Sequence, residues 1–138
     1  MPVSLTRTVG FRAFHRLRDP RLSEFENRLK FGTTADTHVH DYTCGVRIGG
    51  PPDPDTGMLL DVGFLDRLLT ELVVGPFDGE DLNKVIPVIA NQSRLATCET
   101  IAVWVYRQLA DRLPAGLHLE RVRIAEDASL HADCTGLA

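Results

Sequence analysis

The sequence lacks the features that mark secreted, membrane-spanning or nucleic-acid-binding proteins. Its three cysteines are an odd number and form no CxxC pair, so no disulfide framework is indicated and a reducing cytoplasm is the expected location. No apolar run is long enough to cross a bilayer, because Asp61 and Gly63 interrupt the most apolar stretch. The N-terminus has no basic segment followed by an apolar one, which argues against a secretory signal. A formal charge of −4 provides no basic field, so neither nucleic acid nor a membrane surface is expected as a partner.

The composition is that of an ordinary globular protein. Hydrophobic residues make up 43% of the 138 residues and charged residues 25%. A chain of this length is sufficient for one hydrophobic core, and no internal repeat or low-complexity segment divides it. We therefore expect residues 1–138 to form a single domain.

Alternation of apolar and polar residues predicts two strands in the first part of the chain. Residues 3–15 alternate with period two, and His15 lies at the end of the apolar face. A second strand is predicted over about 37–48 by the same pattern. The charged segment 16–36 between them is expected to be a long irregular loop, and such loops often line functional sites.

Helical spacing predicts two helices in the middle of the chain. Asp61 is expected to cap a helix at about 62–74, and Thr97 to cap a second helix that Pro114 ends. The other predicted segments are a turn-rich connection at 49–55, the start of a returning strand at 58–60, an irregular stretch at 77–96, a strand at 117–126 and a last segment around 130–134. This order predicts an α+β fold, with helices on one face of an antiparallel sheet of about four strands. The open edges of such a sheet favour oligomerisation.

Histidines form the most informative pattern. His38 and His40 are two residues apart on a predicted strand, so both imidazoles lie on the same face. His15 ends the predicted neighbouring strand on its inward face and is the best third ligand. Three neutral imidazoles suit zinc and leave a fourth position open, as in catalytic rather than structural sites. The alternative is that surface histidines happen to lie near each other; His118 and His131 lack comparable context and are expected at the surface.

Several segments resemble, in the same order along the chain, the motifs of one enzyme family. They read FRAFHRL (11–17), LKFG (29–32), HVHDY (38–42), DPDTGMLLD (53–61), FDGEDLN (77–83), ATCETIA (96–102) and VRIAE (122–126). Among the family's patterns they are similar to F-x-A-x-H-R-L, H-G-H-[ND]-Y, D-P-x-T-G-M-V-x-D, L-D-H-x-x-L-N and P-T-[TS]-E-N-[LV]-A. The family is that of the 6-pyruvoyl-tetrahydropterin and 6-carboxytetrahydropterin synthases. Each match alone is weak, but together they cover nearly the whole chain and are highly specific.

The resemblance implies the tunnelling fold, with subunit order β-β-α-α-β-β. It also implies trimers that close a twelve-stranded barrel and two trimers that stack as a homohexamer. Zinc would be the cofactor, held by His15, His38 and His40, and the substrate would be a pterin-like small molecule. Glu126 would anchor the pterin, because a carboxylate can accept parallel hydrogen bonds from a ring N–H and the exocyclic amino group. Without the resemblance, Glu126 is more simply interpreted as a solvated charge at a strand end.

The start of the second predicted helix would lie near the same pocket. Here Thr97, Cys98 and Glu99 are expected to contribute to substrate binding. Cys98 replaces a Thr or Ser of the family, and its place at a helix N-terminus does not by itself show that it acts as a thiol. Cys44 shares its parity with His38 and could face the cavity, although a small buried core residue is the simpler interpretation.

The sequence departs from the family where proton transfer is expected. The family places a cysteine just before the H-x-H motif, whereas segment 33–37 reads TTADT. The histidine of L-D-H is replaced by Gly79. A threonine hydroxyl is too weak an acid to replace a thiolate without strong activation, and the glutamate that one family subgroup carries at the cysteine position is absent too. Asp78 and Asp36 are the remaining candidates for catalytic proton transfer.

Two functions of different classes follow from this pattern. The first is a zinc-dependent lyase or synthase that acts on the side chain of a reduced, dihydroneopterin-type pterin or a related heterocycle, with non-standard proton-transfer residues. The second is a catalytically inactive pterin-binding or regulatory paralogue that keeps the zinc site. A subunit whose site is completed by a hetero-oligomeric partner is a third, less favoured alternative.

Overall fold

A computed structural model describes residues 2–137 and contains one antiparallel sheet with helices inserted between its second and third strands. The elements are β1 (Val3–His15), α1 (Glu24–Phe31), a 3₁₀ turn (Gly32–Ala35), β2 (His38–Gly50), α2 (Val62–Leu69), a π-helical segment (Thr70–Val74), α3 (Gly75–Phe77), α4 (Leu82–Val85), α5 (Pro87–Ala90), α6 (Cys98–Ala110), β3 (His118–Asp127) and β4 (Leu130–Cys134).

The four strands lie in the order β1-β2-β3-β4, and every neighbouring pair is antiparallel. The long β1–β2 pairing sets His15 directly opposite His38, and Ala13 opposite His40. Four strands with helices packed beside them confirm the predicted α+β architecture. Register is what brings the histidine-bearing ends of two strands to one end of the sheet.

One face of the sheet carries the core, as the period-two alternation predicts. Along β2 the side chains of Tyr42, Cys44, Val46 and Ile48 are all buried, while residues between them are more exposed on average. Helix α6 packs against β3 and β4 and buries Ile101, Val105 and Leu109. Cys44 is thus a core residue, and burial raises the pKa of its thiol to about 12.

Segment 16–36 is not an irregular loop, because it contains α1 and a 3₁₀ turn. A capping box begins α1: Ser23 Oγ accepts from the N–H of Glu26, whose carboxylate accepts from the N–H of Ser23. The single buried residue of α1 is Asn27 rather than an apolar one. The apolar residues Phe25 and Leu29 are exposed, so α1 buries no apolar stripe, which is the signal on which helix prediction depends.

The middle of the chain differs from the prediction in two further places. Residues 58–60 do not form a returning strand; after β2 the chain turns through residues 51–60, where Asp53 Oδ1 accepts from the N–H groups of Asp55 and Thr56. The stretch 77–96 contains α4 and α5. Each is a single helical turn of four residues, which is too short to show a periodic pattern of apolar residues in the sequence.

Helix α2 begins at its predicted cap, where Asp61 accepts from the N–H of Gly63. It then continues through a π-helical segment to Phe77, beyond the predicted end. Pro76 has no N–H for a regular helical bond, and a Cβ on Gly75 would lie 2.7 Å from the Thr70 carbonyl oxygen. Glycine at 75 therefore permits the widened turn.

Within residues 2–137, no helix combines the length and apolar character that a bilayer-spanning segment requires.

Candidate metal and substrate site

Three imidazoles from β1 and β2 meet at one end of the sheet. The ring centroid of His15 lies 4.5 Å from that of His38 and 5.1 Å from that of His40, and the last two rings are 4.9 Å apart. Ligand atoms of these three side chains and of Glu126 all lie within 4.8 Å of one another. The structure thus brings together the three residues predicted from the sequence.

Backbone carbonyl groups hold two of the rings in place. The Nδ1 atom of His15 lies 2.8 Å from the Ala96 carbonyl oxygen, and the Nδ1 atom of His38 lies 2.7 Å from that of Asp36. A carbonyl can only accept, so each of these Nδ1 atoms carries a proton, and in the neutral tautomer the lone pair of the ring is on Nε2. The Nε2 atoms of His15 and His40 are buried and have no hydrogen-bond partner. Histidine ligands of metals commonly show this arrangement: one ring nitrogen donates to a carbonyl oxygen, and the other is available to the metal.

Burial favours the neutral form that metal binding needs. Desolvation lowers the pKa of His15, and the neighbouring rings of His38 and His40 add to that lowering. Buried, unpaired nitrogen lone pairs that converge are costly in a protein unless something binds them. The donor set therefore fits a zinc-like ion: the three imidazoles supply its ligand atoms, and two of them are oriented by carbonyls.

Glu126, at the end of β3, lies beside the same cluster. Its Oε2 atom is 2.7 Å from Nε2 of His40 and 4.0 Å from Nε2 of His15, without a hydrogen bond to either ring. Its Oε1 atom accepts from the thiol of Cys98 at 3.7 Å. The family resemblance associates Glu126 with the substrate; the structure adds that this carboxylate lies close to the Nε2 atoms of His40 and His15.

The thiol of Cys98 is buried next to that carboxylate. Burial, with the Glu126 charge as the next contribution, raises the pKa of Cys98 to about 12. The group is therefore a neutral thiol near pH 7, and it acts toward Glu126 as a hydrogen-bond donor. A helix N-terminus would favour a thiolate, but burial outweighs that effect here.

Tyr42 is a buried neighbour of two of the three histidines, His15 and His40. Its ring stacks on Phe11 at a centroid distance of 5.2 Å and lies 5.8 Å from His15 and 5.6 Å from His40. The hydroxyl is buried without a hydrogen-bond partner, and burial raises its pKa. The sequence analysis gave Tyr42 no role; its spacing of two residues from His40 along β2 was the available signal.

The other residues predicted for substrate binding lie at the start of α6. Thr97 caps this helix by accepting from the N–H of Thr100 at 3.2 Å. Glu99 is exposed and lines a cleft of about 630 Å³ together with Trp104 and Arg107, outside the histidine group. Of the predicted trio, Cys98 is thus the member in contact with Glu126.

The two aspartates predicted for proton transfer have other partners. Asp36 forms a two-point ion pair with Arg28, at 2.7 and 3.1 Å, and this guanidinium lowers the pKa of its carboxyl. Asp78 Oδ1 accepts from the backbone N–H of Arg12 at 2.9 Å. Neither carboxylate belongs to the group of converging ligand atoms in the described part of the chain. His118 and His131 are exposed, as expected.

The sequence matches one known protein family along almost its whole length. The profile described as 6-pyruvoyl tetrahydropterin synthase covers residues 4–136. The chain belongs to this family. It is 36% identical over 124 residues to the 6-pyruvoyl tetrahydrobiopterin synthase of Poecilia reticulata, an alignment that covers 88% of this chain and 82% of the relative. Identity to the Homo sapiens protein of the same name is 32%, with coverages of 88% and 83%.

Solved structures agree with the family assignment. The 6-pyruvoyl tetrahydropterin synthase of Caenorhabditis elegans superposes with a TM-score of 0.87 at 28% identity, covering 99% of this chain and 97% of that one. The protein of that name from Plasmodium vivax has a TM-score of 0.71 at 14% identity, with 97% coverage of both chains, and at this identity supports the fold alone. The predicted tunnelling-fold subunit is thereby confirmed.

Proposed function

We propose that this member of the 6-pyruvoyl tetrahydropterin synthase family is a zinc-dependent lyase or synthase acting on the side chain of a reduced, dihydroneopterin-type pterin. The observation that supports this most is the convergence of three imidazoles beside a carboxylate, where the Nε2 atoms of His15 and His40 are buried without a hydrogen-bond partner. Closed structural zinc sites use four protein ligands, whereas three histidines leave a position for substrate.

In the proposed site, His15, His38 and His40 hold the zinc ion. Zinc bound there would polarise a carbonyl or hydroxyl oxygen of the substrate side chain and favour deprotonation of the adjacent carbon. The carbonyls of Ala96 and Asp36 keep two of the imidazoles in the required tautomer. The strand register keeps the rings together before substrate arrives.

Glu126 is the proposed anchor of the pterin ring. An ionised carboxylate that accepts from a ring N–H and from an exocyclic amino group reads that edge selectively. Cys98 would orient Glu126 through its thiol, 3.7 Å from Oε1. Thr97 and Glu99 are the further substrate-binding residues that we propose at the start of α6, where Thr97 fixes the helix by capping it.

Proton transfer is proposed for Asp78 or Asp36. Each is adjacent to an element that carries a zinc ligand: Asp36 accepts from His38 through its backbone carbonyl, and Asp78 accepts from the N–H of Arg12 in β1. Each side chain would have to exchange its present partner for substrate. General acid–base groups of this kind contribute about 10²–10⁴ in rate.

We also propose a cytoplasmic homohexamer, built as two stacked trimers. Within residues 2–137 the outer strands β1 and β4 each have one edge that pairs with no other strand, although Gly79 and Glu80 bond to the backbone of β1 at Arg12 and Phe14. Exposed edges of this kind are available for pairing between subunits. The cysteines Cys44, Cys98 and Cys134 are all free and buried, which suits a reducing compartment.

The test is turnover by purified, zinc-loaded protein supplied with 7,8-dihydroneopterin triphosphate and, separately, with 7,8-dihydroneopterin. Mass spectrometry should detect a product whose side chain identifies the reaction. Tight binding of both pterins with no product over many hours would instead favour the second candidate, a pterin-binding or regulatory paralogue. That candidate is supported by Gly79 in place of the family's histidine and by the ion pair that occupies Asp36.

A further inference from the structure

A tyrosine hydroxyl is buried at the histidine end of the sheet, and no other group of the protein satisfies it. Tyr42 is 1% exposed, and its Oη atom is one of four buried side-chain nitrogen or oxygen atoms within residues 2–137 that have no hydrogen-bond partner. Two of the others are the Nε2 atoms of His15 and His40, and the last is Nε of Arg121. Buried polar groups are nearly always paired in native proteins, so each exception requires an explanation.

Packing prevents the Tyr42 ring from turning its hydroxyl toward solvent. Tyr42 and Phe11 are direct partners in the β1–β2 register, and their rings stack at 5.2 Å with an interplanar angle of 4°. The ring of Phe77 lies 5.5 Å from that of Phe11, and all three side chains are buried. Because a different orientation of the tyrosine would leave a cavity in this aromatic cluster, the fold determines where the hydroxyl lies.

Strand register brings Glu126 beside the tyrosine, on the side away from Phe11. Thr43 pairs with Ala125, and the same antiparallel register continued by one residue sets Tyr42 opposite Glu126. Side chains of residues directly opposite each other point to the same face, with Cβ atoms about 5 Å apart. Burial raises the pKa of Tyr42, and the charge of Glu126 is the next contribution. The hydroxyl and the carboxylate therefore face the same space.

The Glu126 carboxylate has a weak donor on one oxygen and a histidine nitrogen beside the other. Its Oε1 atom accepts from the Cys98 thiol at 3.7 Å, and its Oε2 atom lies 2.7 Å from Nε2 of His40. A metal ion bound by the three imidazoles would engage that Nε2 atom, so Oε2 would need a different donor. The hydroxyl of Tyr42 is a stronger donor than a thiol, and no other group uses it.

We propose that Tyr42 is a positioning residue for Glu126, and that its hydroxyl donates to this carboxylate when a metal ion is bound at the histidines. The hydrogen bond keeps the ionised carboxylate beside the metal and directed toward the substrate. The inference rests on the proposed function in one respect, since zinc must bind at the three imidazoles, but it does not require turnover of a pterin.

The alternative is a hydroxyl that is only tolerated within the aromatic cluster. Both interpretations expect Tyr42→Phe to leave the metal-stripped protein as stable as wild type or more stable, because the substitution removes an unsatisfied buried oxygen. The two differ in what happens when metal binds. A hydrogen bond that forms only in the metal-loaded protein contributes to metal affinity, whereas a tolerated hydroxyl contributes nothing.

The test is zinc affinity, measured by competition with a chromogenic chelator on wild-type and Tyr42→Phe protein that has first been stripped of metal and dialysed. The substitution removes one oxygen and keeps the ring that stacks on Phe11. We expect at least about a fivefold loss of zinc affinity, because a hydrogen bond to a charged group behind the metal ligands is removed. The urea midpoint of the metal-stripped variant should be unchanged or higher, which also shows that the variant is folded.

The matched control is Tyr106→Phe, at the other tyrosine of the chain. The Tyr106 hydroxyl donates to the Leu119 carbonyl at 2.9 Å, and the residue does not belong to the converging histidine group. Tyr106→Phe should lower the urea midpoint, because it leaves that carbonyl without its partner, and should change zinc affinity by less than about twofold. The two tyrosines are thus expected to differ in both measurements.

A double variant shows whether Tyr42 acts through Glu126. In a Glu126→Ala background the acceptor is gone, so Tyr42→Phe should lower zinc affinity by less than about twofold further. Equal losses in the two backgrounds, or unchanged zinc affinity in the single variant, would overturn the inference and leave the proposed function standing. If wild-type protein binds no zinc, the proposed function and the inference are both refuted.

Discussion

His15 and His38 lie opposite each other on paired strands, whereas Asp36 and Asp78 lie on connecting segments beside those strands. These two histidine rings are held by sheet register and by carbonyl acceptors, and the Nε2 atom of His15 is buried without a hydrogen-bond partner. The aspartate side chains are exposed and already bound to Arg28 or to the N–H of Arg12. The histidines proposed to bind metal are thus already in place in the single subunit, while the aspartates proposed for proton transfer need a change of partners.

The largest effect is expected from His38→Ala. Removing one of three neutral nitrogen ligands leaves too few to hold zinc, so the variant should lose its stoichiometric metal and all activity. Inductively coupled plasma mass spectrometry of untagged protein measures the metal. His118→Ala, at an exposed position with no part in the cluster, is the control and should keep a full complement. A full complement in His38→Ala would refute the zinc assignment.

The proposed proton-transfer role of Asp78 or Asp36 is tested by comparing Asp78→Asn with Asp36→Asn. We expect one of the two to lower kcat by at least about a hundredfold without loss of metal, because a general acid–base group contributes about 10²–10⁴ in rate. The other should change kcat by less than about fivefold and serves as its control. Steady-state kinetics measure kcat for both variants. If neither value falls, proton transfer by these two aspartates is excluded.

Glu126→Gln should weaken pterin binding by about 10- to 100-fold, since it removes the charge from a hydrogen-bonding partner worth about 1.5–3 kcal/mol. Metal content should stay unchanged, because the three imidazoles suffice. Fluorescence titration with 7,8-dihydroneopterin and metal analysis measure both quantities. A parallel loss of zinc would show that Glu126, 2.7 Å from His40 Nε2, acts as a ligand rather than as the ring anchor.

The smallest effect concerns the segment between the two strands. Asn27 is buried; its Oδ1 accepts from the N–H of Asp19 at 2.7 Å and its Nδ2 donates to the Asp19 carbonyl at 3.0 Å. Asn27→Ala should lower the free energy of unfolding by about 2–3 kcal/mol, because buried polar groups lose their partners. Urea denaturation measures this loss. Asn91→Ala, at an exposed turn, should cost less than about 1 kcal/mol; equal losses would mean that burial is not the cause.

The predictions were correct where side chains of the same type recur with the period of the strand that carries them. Alternation along β2 placed His38, His40 and the core residue Cys44 on one face, and the α6 cap at Thr97 was also correct. It failed for α1, whose buried side is an asparagine, and for residues 58–60, where a turn follows β2. In neither segment does a repeating apolar pattern mark the structure, and boundaries of such short elements are the least reliable part of a prediction from sequence.

The sequence by itself determined the family, the sheet-and-helix order and the identity of the three imidazoles, because local periodicity and motif order are written along the chain. Only the tertiary structure decided that Cys98 faces Glu126 and that Asp36 is held by Arg28. It alone also left the buried hydroxyl of Tyr42, near Glu126, without a hydrogen-bond partner. These residues are far apart in sequence or on different elements, and their distances depend on how the helices and loops pack against the sheet.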